Sequence, residues 1–200
     1  MAKYTLFFHP MSRAQIAHWA LLEADADFEF VEIDWENKPA ALLEANAMGK
    51  LPTLIHHHGE HDHVVTEAAA VCHYIAEVED RDLLPREEER ADYFRWLMFA
   101  AGPLEQAVTA KGMGWETPEG REGMVGFGDY DRTIDALDGW LANRDYVCGD
   151  RFTMADVYVG SGIGYGMAFG NIAPRDSFSA YMARLSEREG YKASLGTLGD

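Results

Sequence analysis

The first 80 residues alternate between short apolar runs that predict strands and longer patterns that predict helices. Tyr4–Phe8 (YTLFF) is rich in strand-forming residues and ends at a His-Pro pair. Residues 28–33 (FEFVEI) alternate apolar and acidic positions, which is typical of a strand with one face in water. Residues 51–57 and 63–66 form two further runs joined by a tight turn, which predicts a hairpin.

Helical patterns separate these strands. Ser12 is placed to cap a first helix, and the pattern fades near residue 27. Pro39 suits the first turn of a short second helix, Gly49 closes it, and a third helix begins at Glu67. The order is therefore β-α-β-α-β-β-α. A helical crossover makes the first two strands parallel and a tight turn makes the last two antiparallel, so we expect a mixed four-stranded sheet.

The strand pattern disappears after a charged segment that contains Pro85. Apolar positions from residue 94 to 101 cover most sides of a helix, so this helix must be buried on most sides, and Pro103 should kink it. We therefore divide the chain into an α/β domain (1–80), a linker (81–87) and an all-helical domain (88–200). Further helices are predicted over residues 130–141, 152–169 and 178–185, and residues 112–128 form a glycine-rich connection.

Composition and charge limit the partners. The 200 residues suffice for one domain or two small ones, and 17 basic against 34 acidic residues give a net charge of −17. Such a charge disfavours nucleic acid and anionic membranes. We find no apolar run of membrane-spanning length and expect no signal peptide. Cys72 and Cys148 form no CxxC pair, which argues against a disulfide scaffold and favours a cytoplasmic location.

Three segments place candidate functional residues where a predicted strand meets a turn or the start of a helix. In HPMSR (residues 9–13), Ser12 stands at a helix start, where a hydroxyl and the helix dipole both favour negative charge. Ser12 could equally act only as a helix cap. In GKLPTL (49–54), Pro52 precedes a strand, and in VTEAAAVCHYI (65–75), Glu67 opens a helix directly after one.

A fourth segment, FTMADV (152–157), indicates a fold rather than an activity. Thr153 and Asp156 have the spacing of a capping box, and Phe152 and Val157 would pack across it as a hydrophobic staple. Together the four segments resemble the cytosolic glutathione S-transferase family of the bacterial, theta-like serine type, over essentially the whole chain. The resemblance implies an α/β thioredoxin-like N-terminal domain followed by an all-α C-terminal domain.

The resemblance also implies site residues and glutathione as co-substrate. Ser12 would hold the glutathione thiolate, and Arg13 would add positive field. Pro52 would be a cis-proline that turns the backbone of Leu51 towards the cysteinyl part of glutathione. The remaining glutathione contacts would be Lys50 with the glycyl carboxylate, Glu67 with the ammonium, and the amide of Ala68 with the γ-glutamyl carboxylate. Ala68 lacks the hydroxyl that similar proteins carry there, so we expect weaker binding.

An apolar electrophile would enter a cleft between the two domains, and we expect the chain to form a homodimer. The candidate lining residues are Met11, Trp96, Phe99, Ala100 and Pro103. Two alternatives stay open. One is another glutathione-dependent activity on the same fold, such as an isomerase, a dehalogenase or a peroxidase. The other is a binding module without catalysis, which the missing hydroxyl at Ala68 favours.

Five histidines crowd into residues 56–63, at the predicted hairpin turn. His57 and His63 could pair across the strands and take up zinc or nickel adventitiously. The segment lacks carboxylate or cysteine ligands at the spacing of structural zinc sites, so we interpret it as a solvated turn and expect no metal. We also interpret Cys72 as a small buried apolar group rather than a nucleophile.

Overall fold

The computed structural model describes residues 2–196, which divide into two compact units. Residues 85–186 form one unit, and residues 2–84 together with residues 187–196 form the other. We call the first the helical unit and the second the sheet unit. Within the described residues, every helix is too short or too polar to cross a bilayer.

The order of strands and helices predicted for the first 80 residues is confirmed. The strands are β1 (Tyr4–Phe8), β2 (Phe28–Glu32), β3 (Thr53–His58) and β4 (His61–Thr66). The α-helices are α1 (Ala14–Glu23), α2 (Ala40–Ala45), α3 (Ala68–Glu79), α4 (Arg90–Phe99), α5 (Glu105–Met113), α6 (Tyr130–Leu141), α7 (Met154–Ala168), α8 (Asp176–Ser186) and α9 (Glu189–Leu195).

The four strands form one mixed sheet in the order β2-β1-β3-β4. β1 is parallel to β2 and antiparallel to β3, and β3 and β4 form an antiparallel hairpin. All five residues of β1 are buried, because this strand lies inside the sheet with neighbours on both sides. β2 and β4 are edge strands, and both are largely exposed.

Helix α9 packs on α1 and belongs to the sheet unit. The sequence-based division instead places residues 88–200 together in the helical domain. Arg188 donates through Nε and Nη2 to the two carboxylate oxygens of Glu23, at 3.0 and 2.7 Å. Trp19 donates its indole N–H to the same carboxylate and meets the ring of Tyr191 edge to face. A Cβ on Gly190 would lie 2.8 Å from Glu23 Cδ, so a larger residue would have to displace the Glu23 carboxylate that Arg188 and Trp19 hold. Residues 197–200 lie outside the described residues.

The helical unit has a buried polar centre at the start of α7. Asp156 is fully buried and accepts hydrogen bonds from the backbone N–H of Thr153 and Val147, at 2.8 and 2.9 Å. It also accepts from the hydroxyl of Tyr181 at 2.8 Å. Burial raises the pKa of Asp156 to about 6 despite these donors. Thr153 and Asp156 thus hold the spacing predicted for a capping box and also tie the preceding loop and α8 to α7.

Pro103 changes the helix type instead of simply bending it. Residues 100–104 form a π-helical turn between α4 and α5. Because proline has no backbone N–H, the bond to the carbonyl four residues earlier cannot form at Pro103, and the backbone widens there. The predicted interruption at Pro103 is therefore present, with α5 continuing beyond it.

His18 of α1 is buried beneath the sheet among aromatic rings. Its ring meets Phe8, Phe28 and Phe30 at centroid distances of 5.7, 5.5 and 4.9 Å. Gln15 Oε1 lies 3.4 Å from Nδ1. Burial lowers the pKa of His18 to about 4, since apolar surroundings disfavour the charged imidazolium. The folded protein therefore keeps His18 neutral.

This burial predicts a loss of stability in acid. The unfolded chain protonates His18 as pH falls below about 6.5, whereas the folded chain resists until about pH 4, so protonation favours unfolding in that window. We expect His18 to account for about 2 kcal/mol of the drop in unfolding free energy between pH 7 and pH 4.5. Urea unfolding of wild type and His18→Leu at both pH values measures this share.

The matched control is His61→Gln, which removes an exposed histidine of the hairpin. His61→Gln should keep the wild-type pH dependence, whatever the absolute stability of either variant. Equal pH dependence in wild type and His18→Leu would contradict the assignment of His18 as a buried neutral imidazole.

Candidate active site

Strand register brings the three candidate segments, which carry Ser12, Pro52 and Glu67, to one end of the sheet. Phe7 of β1 pairs with Thr53 of β3, and Thr53 pairs with Thr66 of β4. The loop after β1, the loop before β3 and the loop after β4 therefore lie at the same end of the sheet. Because neighbouring strands lie about 4.8 Å apart, the three loops start within roughly 10 Å of one another.

Ser12 lies in the loop after β1, half-buried, just before α1. Its hydroxyl donates to the carbonyl of His9 at 2.7 Å and accepts from the backbone N–H of Ala14 at 3.1 Å. The contact with Ala14 is the capping contact expected of a serine at this position. A hydroxyl has a single proton to donate, and here it forms the hydrogen bond to the backbone carbonyl of His9. Arg13 follows and is exposed.

The segment before β3 is held by side chains that sequence reasoning missed. The Leu51–Pro52 peptide bond is cis. The carbonyl of Lys50 accepts from Asn46 Nδ2 at 3.1 Å and from Thr53 Oγ1 at 2.8 Å, so this turn is fastened from both sides. Asn46 follows α2 directly, and the only signal for its role is its position four residues before Lys50.

Leu51 has backbone groups without a backbone partner among the described residues. Within residues 2–196, neither its N–H nor its C=O bonds to another backbone group. Backbone groups in a folded chain demand partners, so Leu51 is suited to pair with an extended peptide. The Lys50 side chain is exposed, and Lys38, a second cation missed from sequence, donates to the Gly49 carbonyl at 2.9 Å.

Glu67 joins β4 to α3 in a strained conformation. Its φ is 65° and its ψ is 116°, a region that L-residues other than glycine rarely occupy. Such conformations occur chiefly at ligand-binding positions and raise the energy by roughly 1–3 kcal/mol each. Glu67 lies at the turn that precedes the 12-residue helix α3, and its side chain is exposed. Ala68, the first residue of α3, is 6% exposed.

The five predicted lining residues fall in different settings. Met11 belongs to the loop after β1 and is 68% exposed. The other four belong to the helical unit. There, Trp96 packs on Trp140 and Phe99 and is buried, as is Ala100. The last two, Phe99 and Pro103, are partly accessible.

Other thiol-activating or nucleophilic residues are unsuitable. Tyr4 is fully buried in β1 and donates its hydroxyl to Glu79 at 2.8 Å, and burial raises its pKa well above the usual range. Burial also raises the pKa of the Cys72 thiol, and it raises that of Cys148 to about 12. Both thiols therefore stay protonated and unreactive at neutral pH.

The histidines of the β3–β4 hairpin lie on two opposite faces. His56 pairs across the strands with His63, whereas His57 pairs with Asp62. The predicted pairing of His57 with His63 is wrong, because the register places these residues on opposite faces of the hairpin. His57 Nδ1 lies 2.8 Å from Asp62 Oδ1, and its Nε2 lies 2.9 Å from the hydroxyl of Thr5.

Comparison with known proteins gives one answer for both halves of the chain. The model of the glutathione S-transferase N-terminal domain matches residues 2–77, and that of the C-terminal domain matches residues 121–189. Glutathione S-transferase GstA of Escherichia coli O157:H7 is 27% identical over 202 residues, which cover 97% of this chain and 98% of that protein. Glutathione S-transferase U19 of Arabidopsis thaliana is 30% identical over 156 residues, covering 76% of this chain and 68% of that protein.

A solved relative agrees. A glutathione S-transferase from a sphingomonad, solved in complex with glutathione, is 27% identical, and the alignment covers 98% of both chains with a TM-score of 0.77. The fold is thus a thioredoxin-like mixed sheet followed by an all-helical domain, in the class of two-domain transferase scaffolds. This chain belongs to the glutathione S-transferase family.

The strain at Glu67 predicts an inversion of the usual order of glycine and alanine. Glu67→Gly relieves the positive φ, whereas Glu67→Ala keeps it, so we expect the glycine variant to be more stable by about 1 kcal/mol. At the exposed helical position Ala70, glycine should instead be less stable by about 1 kcal/mol. Urea unfolding of the three variants measures both signs. A Glu67→Gly variant less stable than Glu67→Ala would show that the turn is not strained.

Proposed function

We propose that this protein is a glutathione transferase that binds glutathione at this end of the sheet and directs its thiolate onto a small apolar electrophile. The observation that carries the proposal is the alignment of Phe7, Thr53 and Thr66, which gathers the three loops. Family membership supports the same reading, since relatives across almost the full length are named as glutathione S-transferases.

The first chemical task is to keep the thiol of glutathione ionised. A free thiol has a pKa of about 8.5, and its thiolate is the nucleophile. Ser12 sits at the N-terminal end of α1, where the helix dipole also favours an anion. To donate to the sulfur, the hydroxyl must turn its proton away from the carbonyl of His9, which it now faces. The sulfur then forms a bond to the electrophilic carbon, either as the bond from that carbon to a leaving group breaks and the group departs as an anion, or as an activated double bond opens and takes up a proton from water.

The second task is to hold the tripeptide so that the sulfur stays beside Ser12. The unpaired backbone of Leu51 suits the cysteinyl residue, which has one N–H and one C=O to pair. Lys50 supplies positive charge for the glycyl carboxylate. Glu67 offers a carboxylate to the γ-glutamyl ammonium, and the start of α3 at Ala68 offers backbone N–H groups to the adjacent carboxylate.

The residues proposed to contact the electrophile differ in exposure. Met11 is exposed in the same loop as Ser12, and Arg13 adds positive charge beside it. Trp96, Phe99, Ala100 and Pro103 stay as proposed contacts for an apolar substrate. Of these, Phe99 and Pro103 have the greater access. The homodimer and the cytoplasmic location also stay proposals, carried by likeness to the family.

One observation favours a second candidate, a module that binds without catalysing. Ala68 offers no hydroxyl to the γ-glutamyl carboxylate, so one hydrogen bond to an ionised group is missing from the proposed cradle. Such a bond is worth roughly 1.5–3 kcal/mol, so its loss weakens binding while the other contacts remain. An isomerase, dehalogenase or peroxidase would share the thiolate held at Ser12 and differ in the second substrate and in the reaction that follows.

Removing the hydroxyl of Ser12 tests the proposed role directly. We expect Ser12→Ala to raise the pKa of the enzyme-bound glutathione thiol by about one unit or more, since a hydrogen bond to an ionised group is worth about 1.5–3 kcal/mol. The pKa follows from the ultraviolet absorbance of the thiolate titrated against pH. The rate of glutathione conjugation to a panel of apolar electrophiles should fall in parallel.

The control separates chemistry from folding. Ser12→Ala also removes the cap on Ala14, which lowers stability by about 1 kcal/mol, so unfolding is measured alongside. Ser12→Thr restores a hydroxyl and should restore the low thiol pKa. An unchanged thiol pKa in folded Ser12→Ala would remove Ser12 from the mechanism.

Restoring the missing hydroxyl tests the binding pose. We expect Ala68→Ser to tighten glutathione binding by about tenfold or more, because the new hydroxyl adds a hydrogen bond to the charged γ-glutamyl carboxylate. Isothermal titration calorimetry measures the change, and Ala70→Ser, at an exposed position of the same helix, is the matched control. Equal or weaker affinity in Ala68→Ser would mean that the γ-glutamyl end does not bind at the start of α3.

A further inference from the structure

The loop after β1 is fastened by its own first residue, His9. The backbone N–H of Met11 donates to Nδ1 of the His9 ring, with 3.1 Å between the two nitrogens. Because Nδ1 accepts this hydrogen bond, it carries no proton, and the neutral ring has its proton on Nε2. A side chain that accepts the N–H two residues further on is the arrangement of an Asx turn, made here with imidazole.

The main chain of the same residue holds Ser12. The carbonyl of His9 accepts the Ser12 hydroxyl at 2.7 Å. His9 therefore contacts the loop at two successive points, Met11 through its ring and Ser12 through its backbone. Pro10 lies between them and fixes its own φ at about −65°. The position of the Ser12 hydroxyl thus depends on a short turn that is fastened at His9.

The ring of His9 is itself packed. It is half-buried, and its centre lies 5.0 Å from that of Trp35, with 47° between the ring planes. Trp35 belongs to the loop after β2, and Phe8 pairs with Glu32, so the loops after β1 and β2 leave the sheet side by side. Contact with Trp35 limits the orientations open to the imidazole and keeps Nδ1 facing Met11.

We propose that His9 is a positioning residue for the transferase reaction, which acts through Ser12 by accepting the Met11 N–H at Nδ1. This proposal rests on the proposed function, in which Ser12 holds the glutathione thiolate. When the Ser12 proton turns to the sulfur, the carbonyl of His9 loses its hydrogen bond to that hydroxyl, whereas the ring contact with Met11 persists. The ring contact therefore supports the loop in the state that reacts.

The other contact of the Ser12 hydroxyl has a different role. Ala14 donates its backbone N–H to Ser12 Oγ at 3.1 Å, which fixes the hydroxyl relative to α1. The ring of His9 instead fixes Met11 relative to the end of β1. Ser12 is thus held between strand and helix, with His9 on the strand side.

Two replacements of His9 separate the hydrogen-bond acceptor from the ring. His9→Phe keeps an aromatic ring against Trp35 but has no acceptor, whereas His9→Asn loses the ring and offers an amide oxygen suited to the N–H two residues on. We expect His9→Phe to raise the pKa of the enzyme-bound glutathione thiol by about half a unit to one unit, since a neutral hydrogen bond biases the turn a few-fold to about tenfold. The thiol pKa in His9→Asn should be closer to that in wild type than to that in His9→Phe.

A double variant shows whether His9 acts through Ser12. Ser12→Ala alone should raise the thiol pKa by about one unit or more. Adding His9→Phe should raise it no further, because the hydroxyl to be positioned is gone, whereas independent effects would add. His61→Phe, which replaces an exposed histidine of the hairpin, is the matched control and should keep the wild-type thiol pKa.

A measurement without glutathione reads the turn by itself. Exchange of the Met11 backbone N–H with deuterium is followed by NMR in the free protein. It should be a few-fold to about tenfold faster in His9→Phe than in wild type or His9→Asn, because the N–H has lost its acceptor. Urea unfolding of each variant establishes that it is folded.

The outcomes distinguish a failure of this proposal from a failure of the proposed function. A thiol pKa that rises in Ser12→Ala but keeps its wild-type value in folded His9→Phe overturns the role of His9 alone. Equal shifts in His9→Phe and His9→Asn, shifts that add in the double variant, or equal Met11 exchange in wild type and His9→Phe also overturn it. A thiol pKa unchanged in Ser12→Ala overturns the role of Ser12, and the role of His9 in the reaction falls with it.

Discussion

Phe7 pairs with Thr53 and Thr53 with Thr66, and this short ladder decides where the candidate chemistry can occur. Register in a sheet is exact to one residue, because a slip of one position turns every side chain to the other face. The loops that carry Ser12, Leu51 and Glu67 leave the sheet at the ends of these paired strands, so the register brings them close together. The central strand β1 is fully buried.

The loops at this end of the sheet differ in how firmly the structure holds them in a conformation suited to binding glutathione. The turn before β3 is held by Asn46 and Thr53, which both donate to the carbonyl of Lys50. The turn before α3 keeps Glu67 at a φ of 65°, and such local strain persists only where the surrounding structure enforces it. Ser12 is different, because its proton faces the carbonyl of His9 and must be redirected for the proposed chemistry. Rigid backbone and one mobile proton are what the proposed mechanism requires.

Local patterns predicted most of the fold. Alternation in FEFVEI, the caps at Ser12 and Thr153 and the tight turn of the hairpin are short-range signals, and each element stands close to its predicted place. Long-range pairing escaped prediction. The docking of α9 depends on Glu23 and Arg188, which are 165 positions apart, and no local pattern joins them.

The candidate site divides in the same way. Ser12, Pro52 and Glu67 stand in recognisable segments, so resemblance to a family could single them out. Asn46 and Lys38 act through contacts that only a folded backbone reveals. The pairing of His63 with His56 rather than His57 depends on a register that the five crowded histidines leave ambiguous in sequence.

The position of the sulfur of bound glutathione tests the proposed mechanism most directly, and a crystal structure with glutathione soaked or co-crystallised measures it. We expect the sulfur within hydrogen-bonding distance of Ser12 Oγ, with the cysteinyl N–H and C=O paired to the backbone of Leu51. A structure in which glutathione binds with its sulfur away from Ser12, or in which the tripeptide leaves Leu51 unpaired, would contradict the account.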